Sequence, residues 1–362
     1  MQMKILVIMK RFSANIDMVM QDFGREIRLF EPLAKKHEID FFCPDYKKKE
    51  SKTLIRKGIR FIITPISFFS IPGFLNTLKK QIKTGNYDLI VATMDPLVGI
   101  IGNYYSKKFN IPWVYDLQDN FEIYHSYKIP FVGSLDRKAV KNADIVLAVS
   151  KNLKKYISKI RTRPVHIIEN GVNLSLFKKI SKDKARSKLK LPKKAKIIVY
   201  VGSISKINGA DIMLNVFEEV RKEMPEAYLL LAGKVSKNLN IKKENIILMK
   251  FKKRDGVALA LNASDVAMLP KHVDNFSPYC FPYKLMEYMA CGLPIVATDI
   301  GDVSIVLKNY EGSLVNPDNI EEYKNRIISK LKKPRRIDYS KDVKNFTWET
   351  LAKKIDKIIT AN

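Results

Sequence analysis

The chain has 362 residues, with 65 Lys and Arg against 37 Asp and Glu for a formal charge of +28, and 46% of it is apolar. That composition excludes a disordered tail or a collagen-like rod. At about 100–200 residues per domain, the length predicts two domains, each large enough to bury a core without staples. Cys43, Cys280 and Cys291 are odd in number and far apart, so they form neither a disulfide framework nor a zinc motif. The opening MQMKILVIMKRF is too short for a secretory apolar region, and no run approaches the ~18 apolar residues of a spanning helix. The expectation is a cytoplasmic protein with reduced thiols. Its basicity favours polyanionic partners. No zinc-finger spacing, RNP-like aromatic signature or basic region leading into heptads is present, so nucleic acid is not expected.

From the first residues onward, short apolar runs alternate with amphipathic stretches. KILVIM, IDFFCP, FIITPI, YDLIVAT, WVYDL, DIVLAVS and VHIIEN read as strands, and REIRLFEPLAKK and LVGIIGNYYSKKF as helices between them. Continuous Ile/Val/Leu runs suit strands covered on both faces, as in a parallel sheet with crossover helices. The basic stretch FKKISKDKARSKLKLPKKAK, 177–196, offers little to pack and marks the expected domain boundary. A second series follows, with strands at IIVYVGS, AYLLLAG, NIILMKF, DVAMLP and PIVATD and helices at ADIMLNVFEEVRK and YKLMEYMA. The expected class is α/β, two doubly wound Rossmann-like domains in tandem with a ligand cleft at the carboxyl ends of their strands.

SPYCFPYKLMEYMACGLPIVATD, 277–299, joins a turn-rich loop, a short helix and a buried strand. Pro282 signals the helix start, and Gly292 with Pro294 its stop. A helix amino end carries unpaired N–H groups and partial positive charge, and Lys284 in the first turn completes the outline of a phosphate site. Glu287, one turn on along the same face, can accept hydrogen bonds from a sugar or ribose diol. The plain alternative is a surface helix with an ordinary lysine and glutamate.

In the first half, Asp119 should emerge beyond the carboxyl end of the WVYDL strand, placed to orient or deprotonate a hydroxyl. His125 is its rival, with an ordinary pKa nearer neutrality. A helix-capping Asp119 and a merely exposed His125 are the bland readings. Gly24 and Arg25, entering a helix, can offer amide and guanidinium donors to a phosphate, or simply make a turn. SFFSIPGFLNTLKKQIK sets Phe68, Phe69, Ile71, Phe74 and Leu75 beside Lys79, Lys80 and Lys83, which suits shallow insertion into an anionic membrane surface. Alternatively the apolar residues are core and the lysines the wet face of a helix.

PYKLMEYMACGLPIVATD resembles the donor-site segment of the GT-B-fold, nucleotide-sugar-dependent glycosyltransferases, specifically glycosyltransferase family 4 and its near relatives. NADIVLAVS, IIENGVNLSLF, YVGSISKINGADIMLNVF and NFTWETLAKKI agree in order and spacing, so the resemblance covers most of the chain. It implies an acceptor-side domain over 1–180, a donor domain over 181–345, and a terminal helix over 346–362 returning to the first domain, with Trp348 as its anchor. It also implies that Glu287 holds the nucleotide ribose and Lys284 the diphosphate, that Tyr279, Cys280 and Phe281 line the sugar pocket, and that the base is read largely through backbone groups around Phe251.

Three positions depart from the family's pattern. Tyr279 stands where a first glutamate is common, and Ser203 and Asn208 replace the Arg and Lys that usually neutralise the donor diphosphate. Lys284 and Lys206 are the local substitutes. The VYDLQDNFEIYHS segment matches the family's acceptor loop in part, and Asn170-Gly171 matches its N-G-V signature as a strand-ending turn.

The resemblance therefore implies a glycosyltransferase moving a hexose from a nucleoside diphosphate sugar to a saccharide or lipid-linked acceptor, with retained anomeric configuration. It would act in the cytoplasm, with an anionic membrane surface as a further partner. No metal or other cofactor is expected, since no D-x-D or HExxH-like spacing occurs. A GT-B-fold nucleotide-sugar epimerase and a non-catalytic GT-B-like scaffold are the alternatives.

Overall fold

The apolar runs form two parallel sheets in the computed structural model, which describes residues 2–13, 16–239, 241 and 244–361. The chain divides into two units, 1–170 with 348–362 and 171–347.

In the first unit the strands are β1 (Lys4–Ile8), β2 (Phe12–Ser13), β3 (Ile16–Asp17), β4 (Glu38–Asp45), β5 (Lys52–Arg56), β6 (Ile59–Pro65), β7 (Leu89–Thr93), β8 (Trp113–Leu117), β9 (Ile145–Ala148) and β10 (Val165–Ile167). Eight of them make one sheet in the order β10-β9-β8-β7-β1-β4-β6-β5. Only β5 runs antiparallel, joined to β6 at the edge, while β2 and β3 form a separate small ladder. Strands β7, β8 and β9 are buried at every residue, as sheets covered on both faces require.

The second unit holds β11 (Lys196–Val201), β12 (Ala227–Ala232), β13 (Ile246–Met249), β14 (Val266–Leu269), β15 (Ile295–Thr298) and β16 (Leu314–Val315), all parallel, in the order β13-β12-β11-β14-β15-β16. In both sheets the order reverses beside the first strand of the unit, β1 or β11, which is the doubly wound switch point where open α/β sheets bind ligands. The expected fold class is observed: two Rossmann-like α/β domains.

Several local expectations are corrected. REIRLFEPLAKK is a helix only over Arg25–Phe30, followed by a short 3₁₀ turn at Leu33–Lys35. Pro32 lies between them and has no N–H to continue the helical ladder. The basic stretch after Phe177 is packed structure, since its helix Lys182–Leu189 buries Arg186, whose guanidinium donates to Ala263 O at 2.8 Å and Asp265 at 2.8 Å. The division between units accordingly falls at Asn170/Gly171 and not at 180/181, because Lys178 and Ile180 already bond to Asn262 of the second unit. The terminal helix Trp348–Thr360 belongs to the first unit, where Asp356 meets Lys36 and His37 at 2.7 Å each. Its Trp348 is buried.

Candidate functional site

In the second unit, the carboxyl ends of the central strands gather polar groups. Strand β11 is followed by Gly202, which takes φ +118°, and a Cβ there would come 3.0 Å from Lys284 Nζ. The glycine thus leaves an open face over which the lysine amine lies. Lys284 is the second residue of the helix Tyr283–Ala290, led in by Pro282. Its Nζ donates to Tyr200 Oη at 2.6 Å and sits 4.0 Å from the centre of that ring, while Tyr200 in turn donates to Ser203 O at 3.1 Å. Burial, with Lys271 adding like charge, pushes the Lys284 amine down to about 7.

Lys271 follows β14 and Pro270. Its Nζ donates to Asn208 Oδ1 at 3.2 Å and to Ile207 O at 3.4 Å. A cation therefore reaches Asn208, the position at which the sequence lacks the usual lysine, and it is supplied from a different strand end. Next to it, His272 Nε2 meets Asp211 at 2.9 and 3.1 Å. Among the described residues neither Lys271 nor Lys284 has a carboxylate within ion-pair reach. Lys206 and Ser203 are exposed on the loop after β11.

Glu287, one turn beyond Lys284, is buried, and Arg254 donates to its Oε1. Arg254 begins the helix Arg254–Ala263 and lies 5.2 Å from the Phe177 ring centre. Phe251 packs beneath the same helix, its ring filling the space that a side chain at Gly256 would need. In the loop 277–282, Tyr279 is half-buried, and Cys280 Sγ donates to Phe276 O at 3.4 Å. Phe281 departs from its expected place in a sugar pocket. It is buried, with its ring stacked on Phe346 at 5.4 Å, so its contribution is packing.

The strand ends of the first unit are organised differently. Arg25 is fully buried and donates to Asp116 through Nε at 3.1 Å and Nη2 at 2.9 Å, and through Nη1 to Glu169 O at 2.7 Å and Asn170 Oδ1 at 3.3 Å. The guanidinium expected to meet a phosphate is committed within the unit. Gly24 is buried too, and a side chain there would collide with Met18 and with Glu26 Oε2. A carboxyl group thus lies beside Gly24, in the neighbourhood expected to hold an anion. Asn170, expected as a plain turn residue, anchors Arg25.

Glu26 is itself notable. It is buried, Gln118 donates to its Oε1, and its Oε2 has no hydrogen-bond partner among the described residues. Burial raises its pKa to about 7, against the opposing hydrogen bonds from Gln118 and its own backbone. Gln118 also donates to Thr93 Oγ1 at 2.6 Å. Asp119, next in the chain, accepts from Tyr124 Oη at 2.8 Å, and His125 is exposed in the same loop.

Sequence reading passed over Lys271, Arg254 and Glu26. Lys271 and Glu26 carried a usable signal, one directly after a strand end and the other two residues from the glycine that opens a helix. Arg254 carried none, because its relation to Glu287 depends on the packing of two helices 33 residues apart in sequence.

The family described as Glycosyl transferases group 1 matches residues 181–347, and Glycosyltransferase Family 4 matches 27–176. The D-inositol 3-phosphate glycosyltransferase of Segniliparus rotundus is 26% identical over 48% of this chain and 40% of its own length. A teichuronic acid biosynthesis glycosyltransferase, TuaC of Bacillus subtilis, described as putative in its name, is 26% identical over 76% of this chain and 72% of its own length. The chain spans less than half the length of several other curated relatives that it matches. Among solved structures, HepE from Anabaena in complex with UDP superposes with a TM-score of 0.78 at 16% identity, over 99% of this chain and 100% of that one. With two family matches that together run from residue 27 to 347, and two doubly wound domains, the chain belongs to the GT-B-fold glycosyltransferases, of the family 4 type.

Proposed function

We propose that the chain transfers a hexose from a nucleoside diphosphate sugar to a hydroxyl of a saccharide or lipid-linked glycan, with retention of configuration and without a metal. The observation that carries this reading is Lys284, aligned over Gly202 with Lys271 nearby and no carboxylate on either lysine. Two lysines without an ion-paired carboxylate at parallel strand ends suit a diphosphate, Lys284 taking up its proton as the anion binds, and they stabilise it most as it departs, when its charge develops. HepE, of the same fold, has been solved with UDP-glucose, which supports a nucleotide sugar as donor.

In this reading Glu287, fixed through Oε1 by Arg254, turns its Oε2 to the ribose hydroxyls. Ser203, Lys206, Asn208, Phe251, Tyr279 and Cys280 border the donor. Asp119 and His125 serve the acceptor hydroxyl, Asp119 as the carboxylate oriented by Tyr124 and His125 as the exposed imidazole of the same loop. A lipid-linked acceptor agrees with Phe68 and Phe69, which are 81% and 93% exposed ahead of a helix whose Lys79, Lys80 and Lys83 face solvent. Phe74 does not join them, since it is buried against Phe42. Among the described residues no helix is long and apolar enough to cross a membrane.

Calorimetric titration with UDP, GDP and dTDP in the presence of EDTA tests the donor side. One nucleotide should bind, and Lys284→Ala should weaken it by about 1.5–3 kcal/mol, the range for a hydrogen bond to a charged group. If folded wild-type protein binds none of the three, the donor reading is lost and the scaffold alternative takes its place. Phe68→Ser with Phe69→Ser should weaken sedimentation with anionic vesicles severalfold at low salt, where attraction is strongest, by removing the apolar part of the contact. Unchanged sedimentation would remove the membrane edge.

A further inference from the structure

A second basic feature lies at the opposite ends of the second unit's strands. Pro294 immediately precedes β15, and the turn Asn309–Gly312 precedes β16. Together with the end of the helix Ile320–Lys332 and the segment 335–338, they line an open cavity of about 810 Å³. Lys284, Gly202 and Lys271 stand at the carboxyl ends of the same sheet's strands, so the two places are separated by the length of the strands.

Five cations line the cavity: Arg326, Lys330, Lys333, Arg335 and Arg336. The lining carboxylates are Glu311 and Asp338, and Asp338 already accepts from Ser340 N at 3.0 Å. Arg326 has only a long ion pair, to Glu322 at 3.7 Å, and among the described residues Lys330, Lys333 and Arg335 have none. Arg326 Nη1 and Lys330 Nζ lie 3.6 and 3.7 Å from the position a Cβ would take on Gly312, so the two converge over that residue. Burial, then Arg326 and Arg335, lower the Lys330 pKa against the opposing pull of Glu311, whose backbone O accepts from Lys330 Nζ at 3.3 Å. Arg336 bonds through Nη2 to Asn262 O and Ser264 O at 2.6 and 3.1 Å, while its buried Nη1 has no partner among the described residues.

Like charges converge at a cost unless an anion joins them. A cluster of solvated surface lysines would have spread apart instead. The volume is that of a small-molecule pocket and far exceeds one phosphate. Tyr310 and Ile337 add apolar wall to the charged one.

We propose that this cavity is a binding site for a phosphate-bearing anion with two or more charged groups, separate from the donor site. Guanidinium forks at Arg326 and Arg336 match phosphate oxygens, with Lys330 and Lys333 as added point charges. The phosphates come either from a soluble polyphosphorylated molecule or from a lipid headgroup.

The test is calorimetric titration with inorganic tripolyphosphate at physiological ionic strength. It compares wild type, Arg326→Gln/Lys330→Gln, and Lys271→Ala/Lys284→Ala. Binding should weaken about tenfold or more in the first variant and persist in the second, whether or not any nucleotide binds the donor side. Lys333→Gln, a substitution at an exposed residue, should lower affinity severalfold without altering the unfolding midpoint. Equal affinity in wild type and Arg326→Gln/Lys330→Gln, or no binding to wild type, overturns the proposal. Sedimentation with phosphatidylcholine vesicles containing phosphatidic acid, using the Phe68→Ser/Phe69→Ser protein, separates the sources. Loss of vesicle binding on adding Arg326→Gln/Lys330→Gln, with competition by tripolyphosphate, identifies a lipid phosphate. Tripolyphosphate binding with unaffected sedimentation identifies a soluble ligand.

Discussion

The two units carry the same sheet architecture and opposite electrostatics at their strand ends. In the first, charge is closed on itself: Arg25 is committed to Asp116, Glu169 and Asn170, and Glu26 is buried beside them. In the second, Lys284 and Lys271 reach neutral oxygens and the rings of Tyr200 and Phe276 among the described residues. The closed network contributes shape and rigidity, whereas the open pair keeps its charge available for an anion. The comparison teaches that a doubly wound sheet supplies a place for ligand chemistry, and that local side chains decide whether the place is filled by protein or left for substrate.

The largest effect should come from breaking the closed side. Arg25→Met leaves Asp116 buried and unpaired, with an expected loss of about 3–5 kcal/mol of stability, measured by denaturant unfolding. Replacing both partners, Arg25→Met with Asp116→Leu, should recover a large part of it, because no charge is then stranded. Equal loss in the single and double variants would mean that the pair matters through shape alone.

Glu26 sharpens the same contrast through pH. Its folded pKa of about 7 lies above the ordinary glutamate value of 4.5. Between those values the folded state holds a proton that the unfolded state has released, so stability falls as pH rises through this window. Glu26→Gln removes the cost and should stabilise the protein at pH 8 relative to pH 4, by at most about 3 kcal/mol. A pH-independent effect of the substitution would show that the carboxyl is not strained.

The two sheets that carry this contrast are legible in the sequence, and what is not legible has identifiable causes. Runs such as YDLIVAT and DVAMLP announced buried parallel strands because nothing polar interrupts them. Strand β5 went unread, since KTLIR has one face in water at a sheet edge and looks like basic surface. Lys284 was legible because proline, helix start and lysine are adjacent in sequence. The commitment of Arg25 to Asp116 was not, because the partners are 91 residues apart and only strand order joins them. For the same reason the sequence offers Lys284 and Lys206 as the local substitutes for the missing cations, while Lys271, 63 residues beyond Asn208, is the one that reaches Asn208.

On the open side, the free Lys284 amine titrates near 7, whereas an anion bound against it requires the charged form. Above pH 7, binding must therefore take up close to one proton. UDP affinity should fall about fivefold between pH 7 and 8 and nearly tenfold between pH 8 and 9, a range in which the terminal phosphate, with its second pKa of about 6, stays ionised. Lys284→Ala should bind weakly and with a flat profile. A flat wild-type profile would show that the amine is charged before the nucleotide arrives.

The smallest predicted change is the most discriminating, because Lys271 acts in two ways of opposite sign. Its own charge attracts the diphosphate, so Lys271→Ala should weaken UDP by severalfold, about 1 kcal/mol for a partly exposed cation. Its field also opposes the charging of Lys284, so removing it should let the Lys284 amine take up its proton at higher pH. The steep fall in UDP affinity should then begin above pH 7 and not at it. A purely structural role at Asn208 and Ile207 would lower affinity at every pH and leave the midpoint where it was. Affinity measured across pH 6–9 for Lys271→Ala and Lys271→Arg decides between them, since Arg restores the charge and should return the midpoint toward the wild-type value even if its planar head fails to reproduce both hydrogen bonds.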